Sequence, residues 1–179
     1  MKIYLDFEFI EDGKTINPLS IGMVREDDDE YYAEFAEADL SKANDWVWAH
    51  VIPNLKSYTP NQPNRLFTNL DLKENNPGFY SLTTDLIKAE ILEFAGEKPE
   101  FWGYFCDYDW VIMSQLFGAM IELPKGWPMY CLDVKQEMKM HHITKEEIEQ
   151  EYPQPTTHNS LDDARWIKFA REYVAEHGS

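Results

Sequence analysis

The sequence predicts an α/β protein with a mixed sheet and helices on both faces. Three segments rich in strand-forming residues come first, separated by polar turns, which is typical of an antiparallel meander. Helical segments and apolar strands then alternate, which is typical of parallel strands joined by crossover helices. With 179 residues, the chain has the length of one domain, expected to span residues 1–179.

The first three predicted strands form the meander. Period-two alternation of strand-forming residues predicts strands over residues 2–9, 19–24 and 31–35. Between the first two strands, Gly13, Asn17 and Pro18 predict a loop. The charged run REDDDE at residues 25–30 is typical of a solvated hairpin turn. Consecutive strands with such short connections pair antiparallel.

Helices and strands alternate in the rest of the chain. Apolar residues at helical spacing predict helices over residues 41–55, 83–96, 109–120 and 160–176, and a shorter one ending near His141. Apolar stretches predict strands over residues 100–105 and 128–134. Thr84 and Gly96 are expected to cap the second helix, and His50 is expected to be a packed structural histidine. Residues 56–80, with several Pro and Asn, are expected to be irregular.

The charge balance limits the partners that the protein can bind. Its 33 acidic and 16 basic residues give a formal net charge of −17 at pH 7. Because Lys and Arg neutralise phosphates in nucleic-acid complexes, this balance argues against a broad surface for long duplexes. Nonspecific affinity for nucleic acid is expected to be weak unless bound cations offset the negative field.

The sequence has the features of a reduced, cytoplasmic protein without membrane contact. The N-terminal stretch MKIYLDFEFI is too short and too acidic for a signal peptide. No apolar run reaches the roughly 18 residues of a membrane span. Cys106 and Cys131 lack metal-knuckle spacing, so we expect both to be free thiols.

Two carboxylates interrupt the first predicted strand. In YLDFEF, Asp6 and Glu8 lie two residues apart, so their side chains point to the same face. The first strand of a mixed α/β sheet is usually covered on both faces, where two ionised carboxylates repel and lose hydration. A bound cation removes this cost, and oxygen-only ligands favour Mg²⁺ or Mn²⁺ over zinc. A half-exposed strand with a polar outer face remains the alternative for this segment.

Two later segments carry further acids. Asp107 and Asp109 follow the strand EFWGYF, and either acid is suited to cap the next helix or to project towards the first strand. In HNSLDDARW, Ser160 and Asp163 have the spacing of a capping box. Capping does not explain His158, which is a candidate general base beside a metal site. Each segment is ambiguous alone, whereas the complete ordered set is much less expected by chance.

This ordered set resembles the DEDDh superfamily of 3′–5′ exonucleases, which includes ribonuclease T, oligoribonuclease and the proofreading subunits of DNA polymerases. LDFEF is similar to its first motif, YFCDYDWV to its second and HNSLDDAR to its third. INPLSIGMV is similar to the family's second strand, and the resemblance spans roughly residues 2–172. The segments DFEFIEDG, YYAEF, WVWAHVIPNL and YDWVIMSQLFG further resemble a small bacterial exoribonuclease subfamily first known from mycobacteria.

The resemblance implies a ribonuclease H-like fold and a two-metal hydrolysis of phosphodiesters, with two Mg²⁺ ions for which Mn²⁺ is a substitute. The metal-binding acids would be Asp6, Glu8, Asp109 and Asp163, and the general base would be His158. Activity is then expected to rise through neutral pH as the imidazole loses its proton.

The sequence follows the superfamily pattern at the second-motif acid and departs from it at neighbouring positions. Asp109 is preferred to Asp107 because the superfamily usually has an aromatic residue before this acid, and Tyr108 supplies it. Asp107 remains the alternative for the third metal-binding acid. Many members have His-Asn or Asn upstream of that acid and Thr after the first-motif Glu, whereas this chain has Tyr104, Phe105 and Phe9 there. These departures bear on substrate preference more than on chemistry.

The expected substrate is short. Two dications beside the scissile phosphate can hold a terminal nucleotide or two, whereas the acidic surface gives little support to a longer strand. We therefore expect short single-stranded RNA or an RNA 3′ overhang. Phe9, Tyr108 and Trp110 are candidates for stacking on bases, with core packing as the alternative for each. A homodimer is compatible with the resemblance.

Two other classes of function are left as alternatives. The net charge also suits a non-catalytic acidic interaction protein that mimics nucleic acid, although such a protein has no need of the ordered motifs. A Mg²⁺-dependent phosphatase would use an Asp nucleophile on the first strand and form a covalent aspartyl-phosphate. That chemistry gives His158 and Asp163 no evident role.

Overall fold

The computed structural model describes residues 1–58, 80–154 and 156–178 and confirms the α/β class. Within these ranges the strands form one six-stranded mixed sheet. The strands are β1 (Lys2–Glu11), β2 (Ile16–Arg25), β3 (Glu30–Phe35), β4 (Ser81–Leu82), β5 (Glu100–Gly103) and β6 (Leu132–Asp133). Their order across the sheet is β4-β3-β2-β1-β5-β6.

The predicted meander is present. Strand β2 pairs antiparallel with both β1 and β3. Strand β1 pairs parallel with β5 on its other side, and the pairs β3–β4 and β5–β6 are also parallel. Strand β1 therefore lies inside the sheet with a partner along each edge.

Helices cover both faces of the sheet, as predicted. The helices are α1 (Asp45–His50), α2 (Thr84–Ala95), α3 (Asp107–Phe117), α4 (Val134–Met140), α5 (Lys145–Glu151) and α6 (Ser160–His177). Ile3, Leu5 and Phe7 of β1 share one apolar cluster with buried residues of α2 and α3. Tyr4 lies in a second cluster with buried residues of α4, α5 and α6. Because side chains alternate along a strand, the face that holds Tyr4 also receives Asp6 and Glu8.

Strand β2 begins earlier than predicted. Residues 16–18 belong to the strand, although Asn17 and Pro18 predicted a loop there. The β1–β2 register shifts between Glu8 and Phe9, so that Glu8 pairs with Ser20 and Phe9 with Pro18. Proline lacks the N–H that a regular ladder needs, and an irregularity of this kind accommodates it. The loop prediction failed because the bulge depends on pairing with β1.

The helix predicted over residues 41–55 is divided into three short pieces. Helix α1 is flanked by 3₁₀ turns at Leu40–Lys42 and Ile52–Asn54. The Asn44 side chain accepts a hydrogen bond from the Val47 N–H and so caps the N-terminus of α1. Pro53 prevents the helix from continuing beyond the second turn. His50 is exposed on α1 rather than packed in the core, so its predicted structural role is wrong.

Several other boundaries differ from the predictions. Strands β5 and β6 are shorter than predicted, and β4 and α5 were not predicted. Thr83 rather than Thr84 caps α2, and Asn159 rather than Ser160 caps α6. Most of the predicted irregular segment, residues 59–79, lies outside the described residues. In the described ranges, no helix combines the length and hydropathy needed to cross a membrane.

Candidate active site

A pocket of about 470 Å³ opens beside the second half of β1. Its walls come from β1, α1, the segment after β5, α3, α5, the segment before α6 and α6 itself. The acidic and basic residues that line it are Asp6, Glu8, Asp109, Lys145, His158 and Asp163. The structure therefore brings together the four acids and the histidine that the three motifs singled out.

Three of the acids form a compact cluster. One carboxylate oxygen from each of Asp6, Glu8 and Asp163 can be chosen so that all three lie within 4.8 Å of one another. Asp6 and Glu8 reach this point because they alternate with core residues of β1, and Asp163 reaches it from the first turn of α6. The polar-outer-face alternative is thus excluded for this strand, since its acidic face lies under α6.

Asp109 completes the acidic lining, and Asp107 does not. Asp109 is only 5% exposed, and its Oδ1 accepts the backbone N–H of Phe7 at 2.8 Å. Asp107 is exposed and does not line the pocket. Two residues apart on an α-helix, the side chains are rotated by about 200°, so only one of these acids can face β1.

The start of α6 packs unusually close to the sheet. A Cβ on Gly22 would lie 2.2 Å from the Ser160 carbonyl oxygen and 2.3 Å from the Leu161 nitrogen. Gly22 pairs with Asp6 in the β1–β2 ladder. The hydroxyls of Ser20 and Ser160 are also in hydrogen-bond contact at 2.9 Å. Glycine in β2 therefore lets the helix that bears Asp163 approach Asp6 on the neighbouring strand.

Backbone and amide donors fix the Asp163 carboxylate. The Asn159 N–H donates to Oδ2 at 3.1 Å, and the Gln154 side-chain amide donates to Oδ1. Gln154 in turn accepts from Lys145 Nζ at 3.3 Å. These contacts hold the carboxylate in place while leaving it oriented into the pocket.

Burial raises the pKa of every acid in the pocket, and the charges of nearby carboxylates add to the effect. Burial is the largest cause in each case. For Asp6 the neighbouring carboxylates add to it, and its pKa lies well above the ordinary value. Burial with the charges of Asp163 and Asp109 raises the pKa of Glu8 to about 9. The pKa is raised to about 7 for Asp109, against the lowering effect of the Phe7 N–H, and to about 6 for Asp163.

This donor set fits a hard divalent cation. All of the candidate ligands are carboxylate oxygens, the type that Mg²⁺ and Mn²⁺ prefer, and no cysteine lines the pocket. The raised pKa values mean that the ionised carboxylates lack sufficient compensation from the protein's own cations. Positive charge added at this cluster would therefore be strongly favoured.

His158 lies at the same pocket in a left-handed backbone conformation, with φ of 61°. The ring centroids of His158 and Trp46 lie 4.9 Å apart in an edge-to-face arrangement. Trp46 also stacks on His50, with their ring centroids 5.0 Å apart. Burial, followed by the positive charges of His50 and Lys145, lowers the pKa of His158 below its ordinary value. The neutral imidazole that can accept a proton is therefore favoured.

The three predicted stacking aromatics have different positions. Phe9 lines the pocket and packs edge to face on Tyr108 at 5.7 Å. Tyr108 is half exposed but does not line the pocket. Trp110 is buried in the core at 8% exposure and packs against Phe101, so the prediction that it faces substrate is wrong. Its position on α3 points it to the apolar cluster beneath the sheet.

Sequence reasoning missed four other residues of the pocket. They are Trp46, Phe105, Lys145 and Gln154. Phe105 lies within the second-motif segment YFCDYDWV, whereas the other three reach the pocket through the packing of segments that are distant in sequence. The usable signal was the departure from the motif at Phe105, four residues before Asp109.

Comparison with protein families assigns the class of this protein. The sheet and its carboxylate-lined pocket belong to a domain whose residues 1–175 match the model of the 3′–5′ exoribonuclease Rv2179c-like domain. The protein is an enzyme, a 3′–5′ exonuclease hydrolase, as the motifs predicted. The family comparison therefore favours the enzyme over the acidic mimic and the phosphatase.

The chain belongs to the Rv2179c-like 3′–5′ exoribonuclease family, which confirms the mycobacterial-type subfamily predicted from sequence. It is similar to the 3′–5′ exoribonuclease Rv2179c of Mycobacterium tuberculosis strain H37Rv and to the 3′–5′ exoribonuclease MT2234.1 of strain CDC 1551. Identity to each is 36% over 137 residues, which cover 76% of this chain and 73% of the relative.

Proposed function

We propose that this protein removes nucleoside 5′-monophosphates from the 3′ end of short single-stranded RNA, or of an RNA 3′ overhang, by two-metal-ion hydrolysis. The observation that carries the proposal is the cluster of Asp6, Glu8 and Asp163 beside Asp109 in one pocket, in a member of an exoribonuclease family. The proposal includes a single exonuclease domain over residues 1–179 with a ribonuclease H-like fold and DEDDh chemistry.

Each acid has a proposed role in holding two Mg²⁺ ions, for which Mn²⁺ can substitute. Asp6, central in β1, would contact both ions. Glu8 and Asp163 would hold one ion, and Asp109 would help to hold the second. Ions bound there would lower the pKa of the attacking water and would offset the negative charge on the phosphate and the leaving oxygen.

His158 is the proposed general base. Its neutral imidazole, favoured by the lowered pKa, would take the proton from the attacking water. Trp46 restricts the ring by edge contact, which keeps it at the pocket wall. The phosphodiester bond then breaks between phosphorus and the 3′ oxygen of the preceding nucleotide, and a nucleoside 5′-monophosphate is released.

The charge distribution supports a short substrate. The net charge is −17, and Lys145 and His158 are the basic residues among the described residues that line the pocket. A long strand would gain few phosphate contacts beyond the pocket.

We propose that the enzyme acts in the reducing cytoplasm, where Cys106 and Cys131 stay free thiols. A homodimer is compatible with the proposed activity.

Incubation of 5′-labelled short RNA and DNA with Mg²⁺, Mn²⁺ or EDTA tests the proposal. We expect a ladder that shortens from the 3′ end with either metal, faster on RNA, and no product with EDTA. Products that shorten from the 5′ end, or unchanged cleavage in EDTA, would contradict it.

A further inference from the structure

Phe105 is the most exposed aromatic side chain lining the pocket. It follows β5 by two residues, and 64% of its surface is open to solvent. A phenylalanine carries no polar atom that solvent could satisfy, so exposure gives it no stabilising contact. Its place at the solvent-facing edge of the pocket makes it available to a ligand that enters there.

The backbone at Phe105 is strained. Its φ of 56° lies in the left-handed region, where asparagine, aspartate and histidine are enriched and bulky residues are rare. In the described ranges the other non-glycine residues with positive φ are Asp28, His142 and His158. Phe105 is therefore the one residue in this group whose side chain does not suit the conformation. Strain of this kind is commonly retained at functional sites.

The ring of Phe105 is supported from within the protein. Tyr104 packs edge to face on it at 4.8 Å, and Tyr104 packs in the same way on the buried Trp166 at 5.0 Å. Lys135 Nζ lies 6.0 Å from the Phe105 ring centroid. An aromatic surface beside a cation is the pairing that binds single-stranded nucleic acid by stacking and phosphate attraction.

We propose that Phe105 stacks on the base of the nucleotide that precedes the 3′-terminal one, with Lys135 near the phosphate of that nucleotide. This inference rests on the proposed function. A pocket of about 470 Å³ is at the scale of one small ligand, so the terminal nucleotide fills it and the next one meets its edge. Phe105 is then a substrate-binding residue that favours single strands, because a paired base cannot present its face to the ring.

Steady-state kinetics on two substrates test this role. One is a labelled tri-ribonucleotide, and the other is a p-nitrophenyl ester of a nucleoside 5′-monophosphate, which has no preceding base. For Phe105→Leu we expect the ratio of KM for the trinucleotide to KM for the ester to rise about tenfold, the usual scale of one stacking contact. Phe105→Trp should keep the wild-type ratio. Tyr130→Leu is the control, because Tyr130 is 61% exposed but does not line the pocket.

Thermal unfolding separates binding from a structural role. Phe105→Asn places a residue suited to left-handed φ at this position, so its Tm should equal or exceed that of the wild type while trinucleotide binding weakens. If Phe105 supported the fold, its replacement would lower Tm. A lowered Tm with an unchanged KM ratio would overturn the inference.

A binding assay keeps this inference distinct from the proposed function. The Kd of a fluorescent tri-ribonucleotide is measured in the Asp6→Asn background, with and without Phe105→Leu. A rise of about tenfold supports stacking even if the wild type hydrolyses neither substrate, an outcome that would refute only the proposed function. An unchanged Kd refutes the stacking role and leaves the proposed function intact.

Discussion

At the scale of single residues, the arrangement of the carboxylates was predictable and their surroundings were not. Asp6 and Glu8 share a face because strands alternate, which the sequence alone indicates. The choice between Asp107 and Asp109 needed the start of α3, since the two side chains point to nearly opposite faces of that helix and only Asp109 meets the Phe7 N–H. Trp46, Lys145 and Gln154 carry no spacing signal and were found only through packing.

The two neighbouring aspartates of α3 provide a matched pair of variants. Asp109→Asn should lower kcat/KM more than about a hundredfold, because a candidate metal ligand is lost. Asp107→Asn should leave it within about twofold, since this exposed side chain does not line the pocket. Both variants are assayed on a short RNA at saturating Mg²⁺. Equal losses in the two would contradict the assignment of Asp109.

The pH dependence of activity tests His158. Because its pKa is lowered by burial and by the charges of His50 and Lys145, the neutral imidazole predominates at neutral pH. We expect kcat/KM at saturating Mg²⁺ to fall only as pH drops below about 6.5, the ordinary histidine value, and to be flat above it. This places the rise at lower pH than the sequence indicated.

Replacement of the imidazole completes that test. His158→Gln should lower activity by about a hundredfold or more and should remove the acidic limb of the profile. If the same limb and midpoint persist in the variant, another group is the base.

At the scale of elements, local pattern predicted the strands and helices that bury a regular face. The meander and α2, α3 and α6 have clear periodicity, and all are present. Strand β4 and helix α5 are short, and their boundaries depend on neighbours that the local sequence does not specify. The same holds for the β1–β2 irregularity beside Glu8, which exists only once the two strands pair.

Gly22 is predicted to set the distance between α6 and the sheet. In Gly22→Ala the new Cβ would overlap backbone atoms of Ser160 and Leu161, so α6 must shift and carry Asp163 with it. We expect a loss of about 1–3 kcal/mol in the free energy of unfolding. We also expect a fall in kcat/KM that persists at temperatures where the variant is fully folded.

Gly13→Ala is the control for that variant. A Cβ there meets nothing within 4 Å, although φ of 79° is strained for alanine. It should lower stability by about 1–2 kcal/mol without changing kcat/KM. If Gly22→Ala behaves in the same way, the close approach of α6 does not position the site.

At the scale of the whole molecule, stability should depend on pH and on divalent cations together. The folded-state pKa values are raised to about 6 for Asp163, about 7 for Asp109 and about 9 for Glu8. A raised acid pKa stabilises the fold below the unfolded-state value, and this contribution is lost as pH rises through the folded-state value. Without cations, these groups therefore reduce stability progressively from about pH 4 to about pH 9.

Mg²⁺ should offset that loss, since it binds the ionised carboxylates of the folded state. The difference in Tm between Mg²⁺ and EDTA should be larger at about pH 8.5 than at about pH 5.5, as measured by calorimetry. The same difference should shrink in Glu8→Gln. A Tm difference that is independent of pH would mean that the carboxylates of the pocket are not the groups that bind the cation.

The four acids of the pocket are proposed to bind two divalent cations. Anomalous diffraction from a crystal soaked in Mn²⁺ would locate these cations. We expect two anomalous peaks about 4 Å apart, one contacting Asp6, Glu8 and Asp163 and the other contacting Asp6 and Asp109. A pocket without an anomalous peak at saturating Mn²⁺ would contradict cation binding by these acids.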